Sequence, residues 1–136
     1  MMAWDTMFNT IRTRFKTEVA DALSLTTQYD NQSLANPDNT NWCRLTIVPG
    51  ETQQKSIGSP DTQRERTVGA MIAQLFAPLS AGDGTILDIA NSIRTAFKRV
   101  TVSGITFQTP YLVRVGQKED SWQINVVCPF YGDDIG

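Results

Sequence analysis

An α-helix is predicted over residues 85 to 99, where the sequence reads TILDIANSIRTAFKR. Its apolar residues recur at steps of three and four positions, which places them on one stripe of a helix. These residues are Ile86, Ile89, Ala90, Ile93 and Phe97. Thr85 and Asp88 have the spacing of a capping box, whose side chains bind free amides of the first turn. Arg94 and Lys98 lie near the negative end of the helix dipole, so pattern, cap and charge all predict this helix.

After this helix the sequence predicts strands only. The segments 100–102 and 105–107 form a short hairpin across a Ser-Gly turn. Apolar and polar residues then alternate over 111–115 and over 122–130, as in strands with one buried face. The tail, 132–136, is short and acidic, and we expect it to be frayed.

A first helix is predicted from about residue 4 to residue 24. Its apolar residues, again at steps of three and four, are Trp4, Phe8, Ile11, Phe15, Val19 and Leu23. Arg12, Arg14 and Lys16 form a basic cluster in the middle of this helix. The cluster is either a solvated face or a contact with an acidic surface of a neighbouring molecule. A short strand at 26–29 follows.

The next strand, 43–47, is expected to end in a turn at Pro49-Gly50. A long polar loop follows at about 50–65, and Ile57 is its one clearly apolar residue. A structureless connection of this length is uncommon in a compact domain and is usually functional or disordered. Two interpretations remain open: a binding loop that a partner orders, or a tolerated surface insertion.

The strand predicted at 66–76 is apolar on both faces. One face carries Val68, Ala70, Ile72 and Phe76, and the other carries Gly69, Met71, Ala73 and Leu75. A strand of this kind is covered on both sides. Two helices normally cover one face of a sheet, so a strongly curled sheet or another subunit must cover the second.

The chain has 136 residues, which predicts one domain spanning 1–136. The fold class is α+β, with two helices packed on a mainly antiparallel sheet in the order α-β-β-β-α-β-β-β. A net charge of −2 gives no basic field that would attract nucleic acid or an anionic membrane. The sequence shows neither a membrane span nor a signal peptide, so we expect a cytoplasmic protein unless it leaves within a larger particle.

Nothing in the sequence predicts catalysis, a cofactor or a metal site. The chain has no histidine, the commonest general base and metal ligand. Cys43 and Cys128 lie among apolar residues of predicted strands, and we expect buried free thiols rather than a disulfide. The run Gly82-Asp83-Gly84 lacks the lysine and the spacing of a phosphate-binding loop.

Three segments resemble a known family. They are FNTIRTRF at 8–15, DIANSIRTAF at 88–97, and the last strand with its ending, 122–131. Together with the order of elements, they resemble the tail terminator proteins of long-tailed bacteriophages. The resemblance implies a homo-oligomeric ring, commonly a hexamer, that caps the growing tail tube, stops its polymerisation and presents a surface for head joining.

The resemblance also implies partners and a location. The partners are further copies of the chain, the tail tube protein and a head–tail connector protein, while genomic DNA passes through the lumen without specific binding. The location is the head-proximal end of the virion tail, and the host cytoplasm during assembly. No membrane is involved.

Two sets of site residues follow from that resemblance. The polar loop would contact the tail tube through Gln53, Gln54, Lys55, Arg64 and Arg66. The second face of strand 66–76 would contact a neighbouring subunit through Met71, Ala73 and Leu75, and Met71→Asp should then disrupt the ring. The alternatives are another head–tail connector or tail-completion component, or an unrelated small binding domain or enzyme.

Overall fold

Two α-helices, a π-helical turn and seven strands make up the described part of the chain. The computed structural model describes residues 4–23, 25–29, 41–54, 64–78, 82, 84–118 and 121–135. The helices are α1 (Trp4–Phe15), which continues as a π-helical turn (Lys16–Ala20), and α2 (Gly84–Phe97). The strands are β1 (Thr26–Gln28), β2 (Trp42–Gln54), β3 (Arg64–Pro78), β4 (Thr101–Val102), β5 (Ile105–Phe107), β6 (Tyr111–Lys118) and β7 (Ser121–Ile135).

The first helix buries a stripe with a constant step of four residues: Met7, Ile11, Phe15 and Val19. In an α-helix a step of four rotates the stripe by about 40° each time. The π-helical turn is closed by the hydrogen bond from Asp21 N to Lys16 O at 2.8 Å. It holds more residues per turn than an α-helix and therefore keeps Val19 on the buried side. The sequence had placed Trp4 and Leu23 on the apolar stripe, but 59% and 41% of their surfaces are exposed.

The second helix buries the predicted stripe, Ile86, Ile89, Ala90, Ile93 and Phe97. It begins at Gly84, so Thr85 is its second residue rather than its cap. With Thr85 as the cap, the first helical residue would have been Ile86, so the capping-box prediction placed the helix start two residues too late, within the usual uncertainty of helix ends.

The strands form one sheet in the order β1-β2-β3-β7-β5-β4, with β6 also paired to β7. Its pairs are antiparallel except β1–β2, which is parallel. Four strands follow α2, because the hairpin, which the predicted order had counted as one strand, contributes two. One edge of β7 is shared: β5 pairs with Phe130–Gly132 and β6 with Ser121–Val127.

Two predicted strand ends are wrong because strand pairing continues past them. β2 runs through Pro49-Gly50 to Gln54, with one extra residue between Pro49 and Thr52 relative to β3. A proline has no amide to donate and is tolerated at such a bulge. The chain end predicted to be frayed belongs to β7 as far as Ile135, because its backbone pairs with β3. Part of the predicted loop is thus strand, and 55–63 lies outside the described residues.

The core lies between the helices and one face of the sheet. Its sheet residues alternate along the three longest strands: Cys43, Leu45, Ile47, Met71, Ala73, Leu75, Ala77, Ile124, Val126, Cys128 and Phe130. Arg14 donates to the Ala96 carbonyl from Nε at 3.1 Å and from its Nη2 at 2.6 Å. This member of the basic cluster therefore joins the two helices rather than facing solvent or a neighbour.

Both cysteines are free and buried, as predicted. Burial raises the pKa of both thiols above its ordinary value, and that of Cys128 to about 12. The thiols are therefore protonated near neutral pH, where they are poor nucleophiles.

Neither helix in the described residues is long and apolar enough to cross a membrane.

Gly69 is the glycine whose replacement we expect to be most disruptive. A Cβ atom there would lie 2.7 Å from Phe130 Cζ and 2.7 Å from the Val48 carbonyl oxygen. Gly69→Val should therefore lower the free energy of unfolding by about 1–3 kcal/mol through overpacking, measured by urea denaturation. Gly84→Ala is the matched control, since no atom lies within 4 Å of its added Cβ. Equal stability of both variants with the wild type would contradict the close packing at Gly69.

Candidate functional site

The face of the sheet that points away from the helices is the first candidate surface. Residues directly opposite each other on paired strands lie on the same face. Thr46, Ile72, Val127 and Tyr111 form one such row across four strands, and Val48, Ala70 and Pro129 form the next. We call the part of this surface on β2, β3 and β7 the helix-free face: Arg44, Thr46, Val48, Arg66, Val68, Ala70, Ile72, Gln74, Asn125, Val127, Pro129 and Tyr131.

The centre of the helix-free face is apolar and only partly covered. Val68, Ala70, Ile72 and Val127 are half-buried, and 45% of the Val48 surface is exposed. The buried residues that pack with the helices come from the opposite face of the same strands. This answers the question raised by the doubly apolar strand β3: one face belongs to the core, and the other presents apolar groups.

Each end of the helix-free face carries an arginine stacked on aromatic rings. At one end the Trp42 and Phe76 rings stack at a centroid distance of 4.3 Å. The Arg44 guanidinium lies 5.4 and 5.7 Å from these two rings. At the other end the Arg66 guanidinium lies 4.2 Å from the Tyr131 ring. An apolar centre flanked by stacked arginines is typical of protein–protein interfaces, where aromatic residues and arginine are enriched.

Gln123 adds a polar group that the sequence did not single out. Its side chain is 2% exposed, and its Nε2 donates to Asn125 Oδ1 at 2.8 Å. Its Oε1 is buried and accepts no hydrogen bond from the part of the chain described. A buried carbonyl oxygen without a donor costs free energy. The signal in the sequence was the polar alternation Gln123, Asn125 along an otherwise apolar strand.

The residues predicted to contact the tail tube separate into three groups. Arg66 lies on the helix-free face over Tyr131. Gln53 pairs directly with Arg66 across β2 and β3, while Gln54 pairs with Glu65 and Arg64 with Ile135. The side chains of Gln53, Gln54 and Arg64 lie outside the described part of the structure. Lys55 lies outside it altogether.

The residues predicted to contact a neighbouring subunit are in the core. Met71, Ala73 and Leu75 are each 0% exposed and pack with the helices of their own chain. They leave no surface for another subunit, so this set requires correction. The sequence showed that both faces of β3 are apolar, and only the position of the helices decides which face is internal.

Strand β6 is a second unusual surface. Its exposed apolar side chains are Tyr111, Leu112, Val113 and Val115, with exposed fractions of 53%, 49%, 39% and 43%. A groove of about 410 Å³ lies between β6 and α2, lined in part by Leu87, Leu112 and Arg94. The sequence predicted the strand but not its exposure, because its alternation resembles that of a half-buried strand.

A comparison with protein-family profiles identifies one family. A sequence profile described as "Phage tail terminator protein" matches residues 8–130. One solved structure matches with a TM-score of 0.63 at 14% sequence identity, covering 100% of this chain and 97% of the other, which shows a shared fold. No curated protein sequence matches the chain significantly. The profile match covers most of the chain, including the first two segments on which the resemblance rests and the third as far as Phe130, and this chain belongs to the phage tail terminator family, whose members are structural proteins of the virion tail.

Proposed function

We propose that copies of this chain form a closed ring at the head-proximal end of the tail tube, end its polymerisation and provide the surface for head joining. The family membership supports a structural role in the tail. The mechanism is steric: the ring occupies the end of the tube and offers no site for another tube subunit. We propose no catalytic step and no cofactor.

The observation that carries this proposal is the helix-free face, which we propose as the surface that docks on the tube. Its centre is apolar and partly exposed around Val48, Ala70 and Ile72. Burial of apolar surface drives most protein association. Arg44 and Arg66 are already ordered by stacking on aromatic rings, so less side-chain freedom is lost when they bind. The tube end is the obligatory partner of a terminator, and this face has interface chemistry without a described partner element.

Deletion of the gene, followed by electron microscopy of lysates, tests the proposed function. Over-long tails detached from full heads are expected, because the tube would lack its cap. Tails of normal length that fail to attach to heads would instead favour a head–tail connector role. Particles with normal tails and heads would contradict both.

We expect Val48→Asp to weaken tube capping while leaving the fold intact. Val48 is 45% exposed, so a carboxylate there is tolerated in the free chain but is desolvated at an apolar interface. The expected loss is about tenfold or more in affinity for the tube end. Lysates of the deletion strain complemented with the variant should then contain over-long tails.

The matched control is Thr95→Asp, which adds the same charge at an exposed position of α2. It should complement like the wild type, and circular dichroism of both purified variants should show a folded chain. Complementation by Val48→Asp at the level of Thr95→Asp would exclude the helix-free face as the tube contact.

A further inference from the structure

Strand β6 is an edge strand that exposes apolar side chains, although it carries the charge of Arg114 and a bulge between Arg114 and Gly116. In the described residues it pairs with β7 alone, so its other edge is unpaired. Edge strands are usually protected by charges, prolines or a covering element. Here four large apolar side chains in a strand of eight residues are between 39% and 53% exposed, on both faces. A surface of this kind marks an interaction site.

The groove between β6 and α2 extends this apolar surface and is positively charged at its rim. Leu87, Ala90, Leu112 and Val126 supply its apolar lining, together with Arg94. Arg94 is exposed and has no ion pair in the described structure. Arg114, also exposed, lies on the same strand with its guanidinium 5.2 Å from the Trp122 ring. The groove therefore suits an apolar side chain accompanied by a carboxylate.

The opposite edge of the sheet presents such a group. The turn Asp21–Leu23 follows the π-helical turn, and its three residues are exposed. Leu23 is 41% exposed, and the acidic residues Asp21 and Glu18, two and five positions before it in the chain, are also exposed. Three residues later the chain enters β1, the outermost strand on that side. Four strand spacings separate β1 from β6, or about 19 Å.

We infer that β6 and its groove with α2 bind the Asp21–Leu23 turn of a second copy of this chain. The two surfaces differ, are complementary in charge and lie at opposite edges of the same sheet. A contact of this kind is heterologous, and repeating it with a fixed rotation generates a ring. The inference rests on the proposed ring function and specifies the contact that would build the ring.

A two-fold contact between two β6 edges is the competing arrangement. It would bring the cations Arg94 and Arg114 of one copy close to those of the other, which is unfavourable. It would also leave Leu23 exposed and close the assembly at two copies. The charge distribution therefore favours the head-to-tail contact.

Cysteine cross-linking of purified chain at high concentration, and of isolated tails, tests the contact. The variant carries Leu23→Cys and Leu112→Cys together and is oxidised before a non-reducing gel. We expect a ladder of covalent oligomers up to the closed ring, because each copy carries one half of the contact on either side. The buried thiols of Cys43 and Cys128 should contribute no background.

The controls separate the possible arrangements. Leu23→Cys with Thr101→Cys, at an exposed position of β4, should remain monomeric on the gel, as should each single variant. Dimers from Leu112→Cys alone would overturn the inference in favour of the two-fold contact. The absence of a ladder from the double variant would also overturn it. If the gene deletion nevertheless gives over-long tails, the proposed function stands and only this contact fails.

A charge reversal provides an independent readout. Asp21→Arg should weaken association at least about tenfold by sedimentation, since it places a cation against Arg94. Arg94→Asp in the same chain should restore association. Failure of the double reversal to recover any association would contradict the assigned pairing.

Discussion

Met71→Asp is expected to prevent folding. Met71 is 0% exposed and lies directly between Ile47 and Cys128 of the neighbouring strands, both of which are buried. An unpaired carboxylate at this position must either stay charged in an apolar core or fold in its protonated form. Substitutions of this kind lower the free energy of unfolding by more than about 4 kcal/mol, which is comparable with the whole stability of many domains.

Far-ultraviolet circular dichroism and urea denaturation of the purified variant measure this effect. Met71→Leu is the matched control, because it conserves volume and polarity and should cost less than about 1.5 kcal/mol. From the sequence, Met71→Asp was expected to disrupt only the ring. A stable, folded Met71→Asp monomer would return Met71 to a subunit interface and would contradict the core described above.

Phe97→Ala is expected to produce the second-largest loss of stability. Phe97 is 0% exposed and contacts residues of two other elements, α1 and β5. Its ring lies 6.3 Å from that of Phe15 and 4.9 Å from that of Phe107, and the Arg14 guanidinium lies 5.6 Å away. Truncation of such a side chain leaves a cavity and lowers the free energy of unfolding by about 3–5 kcal/mol.

A thermal scan measures the result. The midpoint temperature of unfolding should fall by roughly 10–20 °C, since each kcal/mol lost from the free energy of unfolding lowers it by several degrees in a domain of this size. Phe8→Ala is the comparison, since Phe8 is only half-buried at the margin of the same core, and its midpoint should fall less. Equal shifts for both variants would show that Phe97 does not join α1, α2 and the β4–β5 hairpin.

The sequence by itself determined the elements whose signals are local. The buried stripe of α2 follows from a period of three to four residues, and its five members are internal as predicted: Ile86, Ile89, Ala90, Ile93 and Phe97. The β4–β5 hairpin follows from its turn, where Ser103 and Gly104 have positive φ angles of 51° and 83°. Such angles fit the right-handed twist of a two-residue hairpin. The buried thiols likewise follow from their apolar neighbours.

Tertiary structure alone decided which surfaces are internal and where the long strands end. Both faces of β3 are apolar, so only the packing of the helices places Met71 in the core and Ile72 on the helix-free face. β2 continues past Pro49-Gly50, and β7 extends to Ile135, because distant backbone segments satisfy their hydrogen bonds. The exposure of β6 is likewise a tertiary feature, because no described element packs over its side chains. Local periodicity determines which residues form an element, whereas contacts between residues far apart in the chain determine which face is left for a partner.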